Sequence, residues 1–408
     1  MLRAYNVNAP KQCGSFAAVC WFSFPFDMRT LPYFAVLLLI GSGAFAQSAW
    51  YERLSVRGYT QLRYEQVHSL DPLSEWKSNG FSIRRGRLTL AGFITSNVFM
   101  YIQPDFAASS GTTLNILQLR DAYFDVFLDS LHAYRVRVGL SKVPFGYESM
   151  QSSSLRSPME RAEIGDAASV PGQRDLGIFA MWAPPKARAI YARLTHDGFK
   201  GSGDYGCISI GIYNGQGLNH PKLNHTPYWS ARATYPIELG DMVIEPAIQA
   251  FTGLFTPQTS STVQAESNAL RDERYAVTLA ISPAPIGVLA EYVWGTAPRY
   301  IPPSNGGGGY VRSGRIEGGY VTLYARTSVM GYRIVPFARW QTLHGGIKSQ
   351  MNAPMTDLGQ WEAGAEWHVS SVLKLTAEYM HTSRQTLAST ESQQTRSESL
   401  WLQLQVSY

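Results

Sequence analysis

Leu54-Ser55-Val56-Arg57-Gly58-Tyr59-Thr60-Gln61-Leu62-Arg63-Tyr64-Glu65 is the stretch whose reading decides the fold. Leu54, Val56, Gly58, Thr60, Leu62 and Tyr64 form one set, apolar or small. The interleaved Ser55, Arg57, Tyr59, Gln61, Arg63 and Glu65 are polar and largely basic. Successive side chains of a strand point to opposite faces, so this is a strand with water on one side and lipid or core on the other.

The same period of two returns down the chain. Arg85, Arg87 and Thr89 oppose Leu88, Leu90 and Ile94, and Tyr101, Gln103 and Asp105 oppose Val98, Met100, Ile102 and Phe106. Asp121, Tyr123 and Asp125 oppose Ala122, Phe124 and Val126, and Arg135 and Arg137 oppose Val136 and Val138. Such segments run about 9 to 12 residues, the length of a tilted strand crossing a bilayer. Short links such as Thr95-Ser96-Asn97 and Ser370-Ser371 alternate with long polar ones, among them 66–80, 142–174, 253–271 and 384–396. Short turns on one side and long loops on the other predict a transmembrane antiparallel β-barrel. A soluble β-sandwich gives no reason for charge to fill one face of nearly every strand.

Seventeen segments fit the pattern, an odd number that a closed antiparallel barrel does not accept. Reading 188–195 as an inserted turn leaves sixteen and restores the alternation of sides. The chain also ends on an alternating strand, with Leu402, Leu404, Val406 and Tyr408 on one face. Pairing that strand with the first would remove both sheet edges.

Composition agrees. Of 408 residues 16% are charged and 12% aromatic, with 23 Tyr and 36 Gly, too ordered a mixture for a disordered chain. A mean hydropathy of −0.14 argues against spanning helices, but in a barrel each apolar residue alternates with a polar one, so that test does not apply. The one strongly apolar run, Leu31 to Ile40, is about ten residues long. It follows Met28-Arg29 and precedes Ala44-Phe45-Ala46. This describes a secretory signal over 1–46, cut after Ala46, with translation starting at Met28 and a barrel over 47–408. Losing Arg3, Lys11, Arg29 and Asp27 lowers the net charge from +5 to +3. Cys13 and Cys20 go too, leaving Cys207 with no partner for a disulfide.

Several motifs resemble the phosphate-selective porin O and P family and its Bacteroidetes-type relatives. They are Phe81-Ser82-Ile83-Arg84-Arg85-Gly86-Arg87-Leu88, Leu119-Arg120-Asp121-Ala122-Tyr123, and Gly139-Leu140-Ser141-Lys142-Val143-Pro144-Phe145-Gly146-Tyr147-Glu148. Pro171-Gly172-Gln173-Arg174-Asp175-Leu176-Gly177 and Tyr213-Asn214-Gly215-Gln216-Gly217 continue the series. The resemblance implies a sixteen-stranded homotrimeric porin in the outer membrane of a Gram-negative bacterium, with its third long loop, here 142–174, folded into the lumen as a constriction. In phosphate-selective members lysines cluster at that loop. Here Lys142 is its only lysine, and Lys142, Arg156, Arg161 and Arg174 are balanced by Glu148, Glu160, Glu163 and Asp166, which puts phosphate selectivity in doubt.

Arg57, Arg63, Arg85, Arg87, Arg135 and Arg137 fall on the inward phase and Asp105, Asp121 and Asp125 face the same lumen. Two readings stand. Successive guanidinium groups offer an anion replacement hydration contacts, giving a weak anion preference that salt weakens. Alternatively, Arg and Asp pair across strands and orient dipolar solutes without selecting a sign. Tyr64, Phe106, Tyr134, Tyr235 and Tyr408 lie near strand ends, where an interfacial girdle belongs. Neither a metal-ligand cluster among the eight histidines nor a G-x-S-x-G setting for Ser152-Ser153-Ser154 points to an enzyme or a cofactor, and no basic block points to nucleic acid. The sequence thus predicts a porin for small hydrophilic, weakly preferred anionic solutes such as phosphate. A barrel that acts as adhesin or scaffold through its loops is the alternative.

Overall fold

The structure is a computed structural model that describes residues 50–71, 77–110, 112–165, 171–282, 285–303, 308–388 and 392–408. The expected signal region 1–46 and its cleavage after Ala46 lie outside the described residues, as does Asp166.

Among the described residues sixteen long strands form one closed sheet. They are β1 (Leu54–Ser69), β2 (Lys77–Phe93), β3 (Val98–Ser110), β4 (Thr113–Phe127), β5 (Tyr134–Lys142), β6 (Arg174–Trp182), β7 (Ile208–Tyr213) and β8 (Tyr228–Thr234). β9 (Met242–Phe255), β10 (Leu270–Ser282), β11 (Ile286–Ile301), β12 (Tyr310–Ala325), β13 (Tyr332–Gly346), β14 (Met355–His368), β15 (Leu373–Leu387) and β16 (Ser392–Ser407) complete it. Each pairs antiparallel with its neighbours in sequence. β16 returns to β1, from Tyr59 opposite Ser407 to Ser69 opposite Ser397. Gly58 and Tyr408 exchange backbone hydrogen bonds at 2.7 and 3.0 Å and close the seam. Closure leaves no edge strand with unpaired amides, which a hydrocarbon environment would not tolerate.

The two faces differ as the alternation predicts. β8 alternates strictly between buried and exposed. The outward set is apolar, including Phe81, Ile248, Trp361 and Val56, and the buried set holds Arg63, Arg274 and Arg339. Aromatics pair along the outside, Tyr64 with Phe81 at 4.9 Å and Trp340 with Trp361 at 6.0 Å between centroids. Phe106, Tyr134, Tyr235 and Tyr408 are exposed on the same surface.

Two expectations need correction. Many strands run 13–17 residues rather than 9–12, so most of the expected long loops shrink, for example 66–80 to 70–76 and 384–396 to 388–391. Strand ends such as Arg312-Ser313-Gly314 and Ser392 to Glu398 stay paired. Beyond the bilayer both faces are wet, so pairing continues there without the apolar alternation that marks a strand in the sequence. The segment 188–195 does not span, as its reading as an insertion requires, but it belongs to a helix rather than a turn. Pro185–His196 is helical, with Pro185 in the first turn and Ala187, Ile190, Tyr191 and Leu194 buried. That spacing is a helical face, and a proline there fits because the first amides of a helix have no partner inside it. The segment 183–207 is also the exception to short links at its end of the barrel.

Candidate pore-lining site

Inward side chains on β1 to β6 make the first part of the site. Of the nine residues expected to line the lumen, Arg63, Arg85, Arg87, Asp105, Asp121, Asp125, Arg135 and Arg137 are buried against the inside of the wall. Arg57 is exposed near the start of β1, and no hydrogen bond or ion pair reaches its guanidinium among the described residues. The others are paired. Arg87 Nε donates to Asp105 at 2.8 Å, and Arg137 binds Asp125 in a two-point fork at 2.7 and 2.8 Å. Arg174 binds Asp121 the same way, at 3.0 Å twice. Planar two-point pairs hold both partners in one orientation. The open ladder of bare arginines is therefore replaced by cross-strand pairs, apart from Arg57.

Two further basic residues enter the site through bulges. The register of β1 on β2 shifts between Gln61 and Leu62, so that Arg84 is the extra residue, and β3 on β4 shifts between Gln103 and Pro104, so that Arg120 is extra. A bulge turns two successive side chains toward one face. Arg84 joins Arg85 inside, and Arg120 joins Asp121 and reaches Asp105 at 3.4 Å. Strict alternation hid both. The signal was present as adjacent charges, Arg84-Arg85 and Arg120-Asp121, since one member of each pair would otherwise face lipid at a cost of several kcal/mol.

The connection between β5 and β6 supplies the second part. Its residues from Val143 to Ile164 are mostly buried, and they bond to inward side chains on both halves of the barrel. Glu160 receives Arg63 at 2.7 Å, Arg84 at 2.7 Å and Arg85 at 2.6 Å. Burial alone would raise the Glu160 carboxyl, but the Arg85, Arg84 and Arg63 charges hold it well below the usual carboxylate range. Across the barrel the backbone N–H of Tyr147 donates to Glu291 on β11 at 2.8 Å, and near the β16–β1 seam that of Met159 donates to Glu378 on β15 at 2.7 Å. Glu148 accepts from Arg339 at 3.0 Å, and Arg339 also binds Glu362 at 2.8 Å. Arg161 donates to the Glu148 carbonyl at 3.2 Å and Arg156 to that of Met159 at 3.3 Å. The Lys142 ammonium is held by the carbonyls of Met150 and Gln151, both at 2.7 Å, with no carboxylate in direct contact.

The helical insertion 183–207 meets this segment from the other end. Lys200 binds Glu366 at 2.6 Å, its carbonyl accepts from Gln151, and Asp204 holds Arg135 at 2.9 Å and Arg188 at 3.0 Å. Burial lowers the Lys200 ammonium to about 8 against the raising effect of Glu366. Cys207, at the foot of the insertion, is buried and packs with Ala183, Ala187 and Tyr191.

Two cavities remain along β1 to β6. The upper, about 320 Å³, is lined by Arg84, Arg120, Asp105 and Lys348 among others. The lower, about 880 Å³, is lined in part by Phe93, Phe99, Phe127 and Arg135 at the short-turn ends of β2 to β5. The Arg87–Asp105 pair forms their boundary, since Asp105 lines one and Arg87 the other. In the lower cavity Arg57, Arg87, Arg135, Arg137, Lys142, Arg174 and Arg188 stand against Asp121, Asp125 and Asp204. Among the described residues no glutamate lines either cavity.

A closed antiparallel barrel with an apolar exterior, a charged interior and two cavities along one wall is an outer-membrane channel of Gram-negative bacteria. The chain belongs to the phosphate-selective porin O and P family, whose model matches residues 61–408. Among solved structures it is similar to the outer membrane channel DcaP of Acinetobacter baumannii, with 12% identity and a TM-score of 0.52 over 87% of this chain and 97% of that one. It is also similar to an anion-selective porin from Comamonas acidovorans, with 11% identity and a TM-score of 0.52 over 87% and 99%. The trimer form of OmpT from Vibrio cholerae shows 10% identity and a TM-score of 0.52 over 87% and 100%. These likenesses speak for the fold alone. Among curated proteins no match is found.

Proposed function

We propose that this porin passes small hydrophilic solutes by passive diffusion and favours anions over cations, with 142–174 as its constriction. The observation that carries the reading is the lining of the lower cavity, seven cationic side chains against three carboxylates. Fixed surplus charge in a narrow passage enriches the counter-ion and repels ions of like sign. Pairing of the arginines with Asp105, Asp121 and Asp125 tempers the field, so the preference is weak, and phosphate is one solute within the class. The anion-selective porin of similar fold is consistent with it. Reversal potentials of single channels in a KCl gradient test it: chloride preference is expected, and potassium preference would overturn it.

The apolar exterior is the surface that outer-membrane lipid would cover. A homotrimer is the assembly we infer, supported by the trimer form of the similar OmpT. Sedimentation in detergent showing a monomer would refute it.

A further inference from the structure

The lower cavity has a feature that ion conduction alone does not call for. At the short-turn ends of β2, β3 and β4 the inward positions hold Phe93, Phe99, Tyr101, Tyr123 and Phe127, all lining the cavity. Inward positions of a water-filled barrel are ordinarily polar. Cross-strand register sets Phe93 opposite Phe99 and Tyr101 opposite Tyr123, whose rings stack at 5.1 Å and 12°. Cationic groups are interleaved with these rings. The Arg137 guanidinium lies 3.8 Å over Tyr123 and that of Arg188 5.3 Å over Phe127. The exposed Arg57, without an ion-pair partner among the described residues, lines the same space.

A small, strongly hydrated inorganic anion gains little from aromatic walls and needs far less room than about 880 Å³. Cavities of this size with mainly apolar walls and a few placed polar groups are the usual setting for organic ligands. The segment 201–205 and Tyr191 of the helical insertion line the same cavity. Arg57 pairs with Thr89 across β1 and β2, two positions from Ala91, which faces Tyr101, so the uncommitted guanidinium and the rings share one wall of the cavity.

We propose that the lower cavity is a binding subsite for aromatic carboxylates, with the ring of the solute among Phe93, Phe99 and Tyr101 and its carboxylate on Arg57. The proposal rests on the anion-favouring reading above and names the solute class of the same passage. The test is block of single-channel chloride current by benzoate, inorganic phosphate and benzyl alcohol, each added to both sides, in the wild type and in Arg57→Gln and Tyr101→Ala. Benzoate is expected to interrupt current at a concentration at least tenfold lower than phosphate or benzyl alcohol. Each substitution is expected to raise the half-blocking concentration of benzoate about tenfold. Phosphate blocking as well as benzoate would reduce the cavity to a plain anion site, and benzyl alcohol doing so would leave Arg57 without a role; either overturns the proposal. So does benzoate block untouched by both substitutions. Arg57 is exposed, so Arg57→Gln is expected to fold even if Tyr101→Ala does not, and circular dichroism checks both. If the channel keeps its chloride preference while benzoate fails to block, only this proposal falls; potassium preference in the KCl gradient removes both.

Discussion

Lys142→Gln isolates the charge surplus of the passage from the ion pairs that hold the wall together. Arg87, Arg137 and Arg174 each have a carboxylate that would be orphaned by neutralisation, whereas Lys142 is held only by the carbonyls of Met150 and Gln151. A glutamine amide can still donate to one of them, so the fold is kept. An ion passing about 6 Å from a unit charge in a water-filled passage gains about 0.7 kcal/mol before screening. At 0.1 M salt, with a Debye length of about 10 Å, roughly half of that survives. Removing the charge moves anion and cation in opposite directions. The chloride-to-potassium permeability ratio should therefore fall about fourfold at 0.1 M and about sevenfold near 0.01 M, where screening is weak. The assay is the reversal potential in KCl gradients centred on those two concentrations. A ratio unchanged at both, in channels of normal conductance, would show that the surplus does not act on the permeating ion.

Three further outcomes follow from the same contacts. Glu160→Gln leaves Arg63, Arg84 and Arg85 around a neutral amide and should cost about 3–5 kcal/mol, as loss of one partner of a buried ion pair does; an unchanged unfolding midpoint in detergent would refute it. Because the folded carboxyl of Glu160 titrates well below its unfolded value, its contribution is complete above the ordinary carboxylate range and lost as pH falls through the folded value. Wild-type channels should thus show no added current noise down to pH about 4, the ordinary carboxylate value, and noise beginning at pH 5 would contradict the assignment. Gly139 has φ of +131°, and a Cβ there would stand 2.3 Å from the Ala122 carbonyl oxygen, so Gly139→Ala should sharply lower the yield of folded barrel, read by the heat-dependent gel shift.

The period of two made the barrel legible because a strand between lipid and water has to alternate. All sixteen strands coincide with segments readable from that rule, and the rejected seventeenth is the one segment that is not a strand. The rule failed wherever its cause was absent. It lost strand ends outside the bilayer, such as Ser392 to Glu398, where both faces are wet. It missed Arg84 and Arg120, because a bulge resets the phase without changing composition. It also passed over the helical spacing of Ala187, Ile190, Tyr191 and Leu194. The pairing of arginines with aspartates was open in the sequence because a face fixes direction, not distance. The contacts of 143–165 with β11 and β15 join residues more than a hundred positions apart, such as Tyr147 with Glu291 and Met159 with Glu378. No local pattern encodes them.

Those contacts also explain how a chain with almost balanced charge arrives at a cavity lined mainly by cations. The loop balances in sequence, Glu148, Glu160, Glu163 and Asp166 against Lys142, Arg156, Arg161 and Arg174, but the described residues place the two signs differently. Glu291 and Glu378 accept backbone N–H groups from the loop, and Glu148 and Glu362 share Arg339. Glu366 is enclosed by Lys200 and Lys374. The cations paired with Glu148, Glu362 and Glu366 offset their fields, and Glu291 and Glu378, whose neutral donors leave the charge in place, line neither cavity. Lys142 is solvated instead by carbonyl dipoles, which carry no compensating net charge, and it remains in the lining of the lower cavity. The cationic surplus of the lower-cavity lining thus reflects which acids are covered inside the barrel rather than how many it contains.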